Sequence, residues 1–167
     1  STLKDLIEFL IKKKFINISR VISHFGFGLL VFFIAVNHNF SLESDFNLKV
    51  GEKKVFNNFN VSFNSLKLEK RKNYQAIIGD FSILNLKNSI TQKLKPEIRI
   101  YNQPETLTYE ASIKSRVTHD LYLTMSNINK SEFYNIKFQK KPFMIWIWLS
   151  AILISVGGFL RLFRNEN

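Results

Sequence analysis

Val21 to Phe40 reads VISHFGFGLLVFFIAVNHNF, twenty residues without an Asp, Glu, Lys or Arg. An α-helix rises ~1.5 Å per residue and the hydrocarbon core of a bilayer is ~30 Å thick, so about 20 apolar residues cross it. A second stretch, FMIWIWLSAILISVGGFL from Phe143 to Leu160, has eighteen residues and no charge. Cations bracket both: Arg20 precedes the first, Lys140 and Lys141 precede the second, and Arg161 and Arg164 follow it. A secretory signal has a shorter apolar core and a small-residue cleavage site, and no such site follows Phe40. Two transmembrane helices are therefore expected, over 21–40 and 143–160.

Short basic flanks stay on the cytoplasmic or matrix side. Residues 1–20 hold Lys4, Lys12, Lys13, Lys14 and Arg20 against Asp5 and Glu8, and the tail 161–167 holds Arg161 and Arg164 against Glu166. Two spans put both ends on one side, so 41–142 is expected in the periplasm or intermembrane space. Leu3, Leu6, Ile7, Leu10 and Ile11 fall at helical spacing, which suits an amphipathic segment over 1–20 lying along the membrane surface. Simple solubilising cations ahead of a span would look the same.

The segment between the spans reads as β. Leu107 to Lys114 alternates apolar and polar side chains, the period-2 pattern of a half-buried strand. Weaker alternation covers 61–68, 74–84, 98–101, 121–125 and 134–138. Breaks at Asn57-Asn58, Gly79-Asp80, Asn102-Gln103-Pro104 and 127–130 separate these runs. The expected class is a membrane α + β protein: two transmembrane helices flanking a small antiparallel β-barrel or sandwich-like extracytoplasmic domain.

Composition then excludes several chemistries. The 167 residues contain no Cys, which removes disulfide scaffolds, zinc ribbons and thiol nucleophiles, and only three His, none at paired metal-ligand spacing. No P-loop, GxGxxG, GxSxG or catalytic carboxylate pair occurs. The formal charge is +11, most of it on 41–142, yet Lys, Asn, Ile and Phe exceed two fifths of the chain, the signature of an AT-rich coding sequence. A solvated lysine surface accounts for that charge, and steering of an anionic partner is the rival reading. The cations are not interleaved with aromatics as in a nucleic-acid groove, so no nucleic-acid partner is expected.

His24 is the candidate site residue. An ionisable side chain within an apolar span is costly and needs a partner for its ring nitrogens. Gly28, Val31 and Ala35 share its helical face, and such small residues leave room for a neighbouring helix or a flat ring. Two readings stand open: a ligand or proton role, or a hydrogen bond to backbone or Ser23 at a helix interface. His38 and His119 are read as local polar contacts, Trp146 and Trp148 as interfacial anchors, and Gly157-Gly158 as a close-packing spot.

Lys141-Pro142-Phe143, then Trp146-Ile147-Trp148-Leu149, then Gly157-Gly158, resembles the last span of the CcmF family, a membrane subunit of the cytochrome c haem lyase. Upstream, in the family's order, stand His24-Phe25-Gly26, Pro96-Glu97-x-Arg99-x-Tyr101, Glu110-Ala111-x-Ile113 and Asp120-Leu121-Tyr122. The resemblance covers nearly all of 18–163. It implies a part in joining haem to the CxxCH thiols of apocytochrome c, with His24 as an axial ligand to the iron of a membrane haem b. It also implies an N-terminal part of the same lyase carrying the tryptophan-rich segment and the second haem ligand. Further implied partners are a haem chaperone and thiol-handling maturation subunits, in the bacterial plasma membrane or the mitochondrial inner membrane. This chain resembles only the C-terminal piece, so it is not expected to catalyse ligation alone. The alternative is a cofactor-free membrane scaffold docking other maturation or respiratory-complex subunits. His119 stands where the family commonly has Arg, and Tyr109 where it has Thr, so neither is given a role.

Overall fold

A computed structural model describes residues 2–127 and 132–162, with side chains over 18–127 and 132–161. The chain divides into a helical unit, Ser1–Phe40, Val117–His119 and Pro142–Asn167, and a β unit, Ser41–Arg116 and Asp120–Lys141.

The helical unit pairs α1 (Thr2–Phe40) with α2 (Met144–Leu162). Helix α1 runs unbroken through Arg20, and the side chains of its first turns, where the amphipathic segment is expected, lie outside the described residues. The helices are antiparallel: Ser19 and Ser23 face Gly157, Gly26 faces Leu153 and Ile154, Phe33 stacks on Trp146, and Asn37 Nδ2 donates to the Pro142 carbonyl. In lipid no hydrophobic force joins two apolar helices, so close packing and buried polar contacts must do it. Ser19 Oγ supplies one, donating to the Gly157 carbonyl at 2.6 Å. Gly157 permits that approach, since a Cβ there would sit 2.8 Å from the Ser23 backbone nitrogen. Ile18–Phe40 and Met144–Arg161 are each long and apolar enough to span a bilayer. Only 11% of each window is buried, unlike the core helices of a soluble protein, which supports a membrane protein.

Among the described residues the β unit carries ten antiparallel strands in two sheets, β1 (Leu42–Leu48), β10 (Tyr134–Pro142), β9 (His119–Asn127) and β8 (Ser112–Ser115) in one. The other runs β2 (Lys53–Phe56), β3 (Phe59–Lys70), β4 (Tyr74–Asn85), β6 (Glu97–Asn102) and β7 (Glu105–Glu110), with β5 (Ile90–Leu94) also on β4. Alternation builds the core, because every second residue points to one side. Phe59, Val61 and Phe63 of β3, Phe81 and Ile83 of β4, Leu121, Leu123 and Met125 of β9, and Ile136 and Phe138 of β10 are all buried. Phe63 stacks on Phe81 with centroids 4.3 Å apart, and Phe59 meets Phe138 from the other sheet at 5.3 Å. The first and last strands pair, Leu42 opposite Lys140, so the points where the chain enters and leaves the domain are neighbours.

Two expectations change. Gly79-Asp80 does not break a strand: β4 passes through it, because Gly79 leaves room for the Phe81 ring and the Met125 sulfur, the latter 2.9 Å from where a Cβ would be. The run 107–114 is not one half-buried strand. It splits at Ala111 into β7 and β8, which belong to different sheets, and Leu107, Tyr109 and Ile113 are left exposed.

Candidate functional site

His24 lies on α1 away from the seam with α2. Ser19, Ser23, Gly26 and Phe33 form the packed stripe, while His24, Gly28, Val31 and Ala35 form the opposite, exposed stripe. The position follows from ~100° of rotation per residue, which sets residue 24 more than a quarter turn from 23.

The ring is oriented by its own helix. His24 Nδ1 lies 2.8 Å from the carbonyl oxygen of Arg20, one turn back. A carbonyl only accepts, so Nδ1 carries a proton, and in the neutral ring Nε2 keeps its lone pair. This is the arrangement in which a metal-ligating His is held by a second contact on its other nitrogen. At Gly28, one turn further on, a Cβ would have nothing within 4 Å, so the surface beside the imidazole is flat and open. The donor is a nitrogen of the kind that haem iron accepts. Of the two readings weighed from sequence, a backbone hydrogen bond is present, but it lies away from the helix interface and leaves Nε2 uncommitted. Among the described residues no three His, Asp or Glu side chains gather into a metal site.

The other singled-out residues go elsewhere. His38 ends α1 exposed, and His119 Nδ1 is 3.0 Å from Thr118 Oγ1. Trp146 donates Nε1–H to the Val117 carbonyl at 3.0 Å while stacking on Phe33, as an anchoring ring does. Gly157 lies in the seam and Gly158 faces open space.

Motif positions in the β unit form two polar clusters that function-directed reading missed. Arg99 Nε donates to Glu97 Oε2 at 2.9 Å, Nη1 is 3.5 Å from Glu110 Oε1, and the guanidinium stands 5.1 Å over the Tyr74 ring. Hydrogen bonding to Glu97 holds the Arg99 pKa above its ordinary value. The signal was available: Glu97, Arg99 and Tyr101 alternate and so share one face of β6. In the second cluster, the Asp120 carboxylate is buried and accepts from the Arg116 N–H at 3.4 Å and from the Tyr122 hydroxyl at 3.5 Å. Lys141 Nζ stands 5.1 Å over the Tyr122 ring, and burial first, then the Asp120 charge, pushes the Tyr122 pKa up. The first cluster ties β4, β6 and β7 together through Tyr74, Arg99 and Glu110. Ion pairs Lys49–Glu132, Lys137–Glu43 and Lys67–Glu69–Arg71 occupy part of the lysine surface.

Residues 39–142, the β unit and its approaches, match the family described as CcmF C-terminal beta-sandwich. The chain belongs to that family. It is 28% identical over 148 residues to the cytochrome c-type biogenesis protein CcmF of Haemophilus influenzae, covering 87% of this chain and 22% of that protein. It is 26% identical over 149 residues to the Escherichia coli protein of the same name, again 22% of its length. A solved structure titled cytochrome c heme lyase CcmF superposes with a TM-score of 0.66 at 17% identity, over 89% of this chain and 25% of that one. The chain thus spans about a fifth of the curated relatives it matches. The family model covers the antiparallel β-sandwich, and the solved structure shares the fold over 89% of this chain.

Proposed function

We propose that the chain acts as the C-terminal portion of a haem lyase in cytochrome c maturation, with His24 as an axial ligand to a membrane haem b. The observation that carries this reading is the Nδ1 contact to the Arg20 carbonyl at 2.8 Å, which commits one nitrogen to orientation and leaves Nε2 as the donor. Arg20 is the positioning residue, acting through its backbone. When bound, such a group supplies one-electron chemistry, and a reduced haem is what thioether formation on CxxCH requires. The chain's own contribution is to hold the imidazole and keep the adjacent face open at Gly28. The second ligand, the tryptophan-rich segment and the contacts to apocytochrome c, a haem chaperone and thiol-handling subunits belong to the N-terminal part of the lyase and its partners. The helices cross the bacterial plasma membrane or mitochondrial inner membrane, with basic ends at the cytoplasmic or matrix face and the β unit on the far side. On this reading the chain has no catalytic apparatus of its own.

The test is spectral. The chain is co-expressed with its N-terminal counterpart, purified in detergent, and reduced-minus-oxidised spectra are recorded for wild type and His24→Ala. Wild type should show b-type bands, His24→Ala should lose them, and added imidazole should restore them. Equal bands in both preparations, or bands in neither, overturn the ligand assignment and leave the cofactor-free scaffold.

A further inference from the structure

Strand β7, Glu105–Glu110, ends the six-stranded sheet and pairs on one side only, with β6. Among the described residues, no strand pairs with its outer row of backbone donors and acceptors. A bare edge of this kind is a template for another strand, and proteins blunt it with Lys, Pro or a bulge. The opposite edge, β2, is blunted by Lys53 and Lys54. Strand β7 has neither Lys nor Pro, and it shows Leu107 at 48% and Tyr109 at 47% exposure on one side. On the other side, the Thr108 hydroxyl oxygen is buried without a hydrogen-bond partner.

We propose that β7 pairs antiparallel with β7 of a second copy, about a two-fold axis passing through Thr108. The sequence of the strand dictates this partner. In a two-fold antiparallel pair centred on a residue, that residue faces itself, and opposed residues share a side of the sheet. Centring on Thr108 sets Leu107 opposite Tyr109 of the second copy twice, Thr106 opposite Glu110 twice, and Glu105 opposite Ala111. No like charges are opposed. The exposed apolar stripe becomes two aliphatic–aromatic cross-strand pairs. A centre at Leu107 would set Glu105 over Tyr109 and leave Thr108 opposite Thr106. The proposal uses no part of the His24 site and stands or falls separately from it.

The chain has no cysteine, so one introduced thiol reports unambiguously. The full chain carrying Thr108→Cys, in detergent and in lipid nanodiscs, is oxidised with copper–phenanthroline and run without reductant. Val55→Cys, exposed on β2, is the control. Thr108→Cys should form disulfide dimer at least about tenfold faster than the control, as expected where native pairing sets the local concentration. Mass by light scattering should show a wild-type dimer. Leu107→Lys with Tyr109→Lys opposes four cations and should give a monomer, whereas Leu107→Lys with Tyr109→Glu opposes Lys to Glu and should restore the dimer. All these positions are exposed or at the edge, and an unchanged melt of the β unit verifies folding. A wild-type monomer at every concentration overturns the proposal. So does equal crosslinking at both thiols, a dimer indifferent to the charge pattern, or crosslinking of Thr108→Cys only to a different polypeptide or to lipid.

Discussion

Replacing Gly157 by Ala should destabilise the helix pair, while the same change one residue later should not. At Gly157 a Cβ would stand 2.8 Å from the Ser23 nitrogen and 3.0 Å from the Ser19 carbonyl oxygen, in addition to striking the Ser23 hydroxyl. The first two neighbours are backbone atoms of a helix, so only separation of the helices by roughly 0.5–1 Å relieves the clash, and a gap of that size forfeits a quarter to a half of the local dispersion energy. Overpacking costs about 1–3 kcal/mol. The Ser19 Oγ bond to the Gly157 carbonyl, at 2.6 Å, is strained by the same movement. Interhelical hydrogen bonds of this kind contribute about 0.6 kcal/mol in membranes. Against this stands the helix propensity of Ala over Gly, about 1 kcal/mol. The net is a loss of about 1–2 kcal/mol for Gly157→Ala. At Gly158 a Cβ meets nothing within 4 Å, so only the propensity gain remains. The assay is built in, since the protein's two tryptophans are Trp146 and Trp148, both on α2, and Trp146 stacks on Phe33 of α1 at 5.6 Å. Tryptophan emission followed against SDS mole fraction in mixed micelles reports separation of the pair. Gly157→Ala should shift the midpoint to lower SDS and Gly158→Ala to equal or higher SDS. Midpoint shifts of the same sign and size would refute the seam.

Core and surface positions of the β unit should separate cleanly in a denaturant melt. Phe138→Ala removes a fully buried ring from between the sheets and should cost about 3–5 kcal/mol, against less than about 0.5 kcal/mol for Leu107→Ala in the isolated chain at monomeric concentration. Gly79→Ala should cost about 1–3 kcal/mol by crowding Phe81 and Met125, and trimming Met125 to Ala in the same chain should recover part of the loss, a coupling that a double-mutant cycle reads. The Tyr122 pKa is raised by burial and then by Asp120. Above pH ~10 the unfolded chain therefore sheds this proton before the folded one, so stability falls as pH rises. Tyr122→Phe should flatten that alkaline decline, and Asp120→Asn should move the tyrosinate absorbance near 295 nm to lower pH; no movement would show that Asp120 does not act on the phenol.

Both spans were legible because hydrocarbon demands an unbroken apolar run and permits no substitute, and 61–68, 74–84, 98–101, 121–125 and 134–138 were legible because they bury one side. Strands β1, β2 and β5 were not: Lys53 and Lys54 occupy β2, and β5 buries only Gln92 and Leu94, so alternation is too brief to register. The clearest alternation in the chain, 107–114, misled for a physical reason. Period 2 reports that one side of a strand differs from the other, not that the apolar side is covered, and here Leu107 and Tyr109, opposite Ile100 and Ile98, lie exposed at the open edge of the sheet. At the candidate site, sequence fixed attention on His24 and on its small-residue stripe. It did not reveal the Arg20 contact, because any helix offers a carbonyl four residues back and only the side-chain rotamer decides whether it is used.

That contact changes what the membrane must supply. With Nδ1 bonded to Arg20, the remaining requirement is a single partner for Nε2, in a setting where an unsatisfied polar atom is costly. Helix α2 does not supply it, since the Ser19–Gly157 seam turns α2 to the far side of α1. A partner on the exposed face of α1 that carries His24 and Gly28 would be either an electron-pair acceptor such as iron or a donor hydroxyl or amide on another helix. These differ in what imidazole does to His24→Ala. A freely diffusing imidazole replaces a metal ligand and restores a spectrum, whereas it restores nothing where the lost contact was one hydrogen bond between helices. Gly28→Leu separates them again: a branched side chain beside the ring blocks a flat macrocycle and should abolish the bands with His24 intact, while a hydrogen-bonded helix that tilts by a few degrees would tolerate it. Bands that survive Gly28→Leu unchanged would rule out a macrocycle seated on this face.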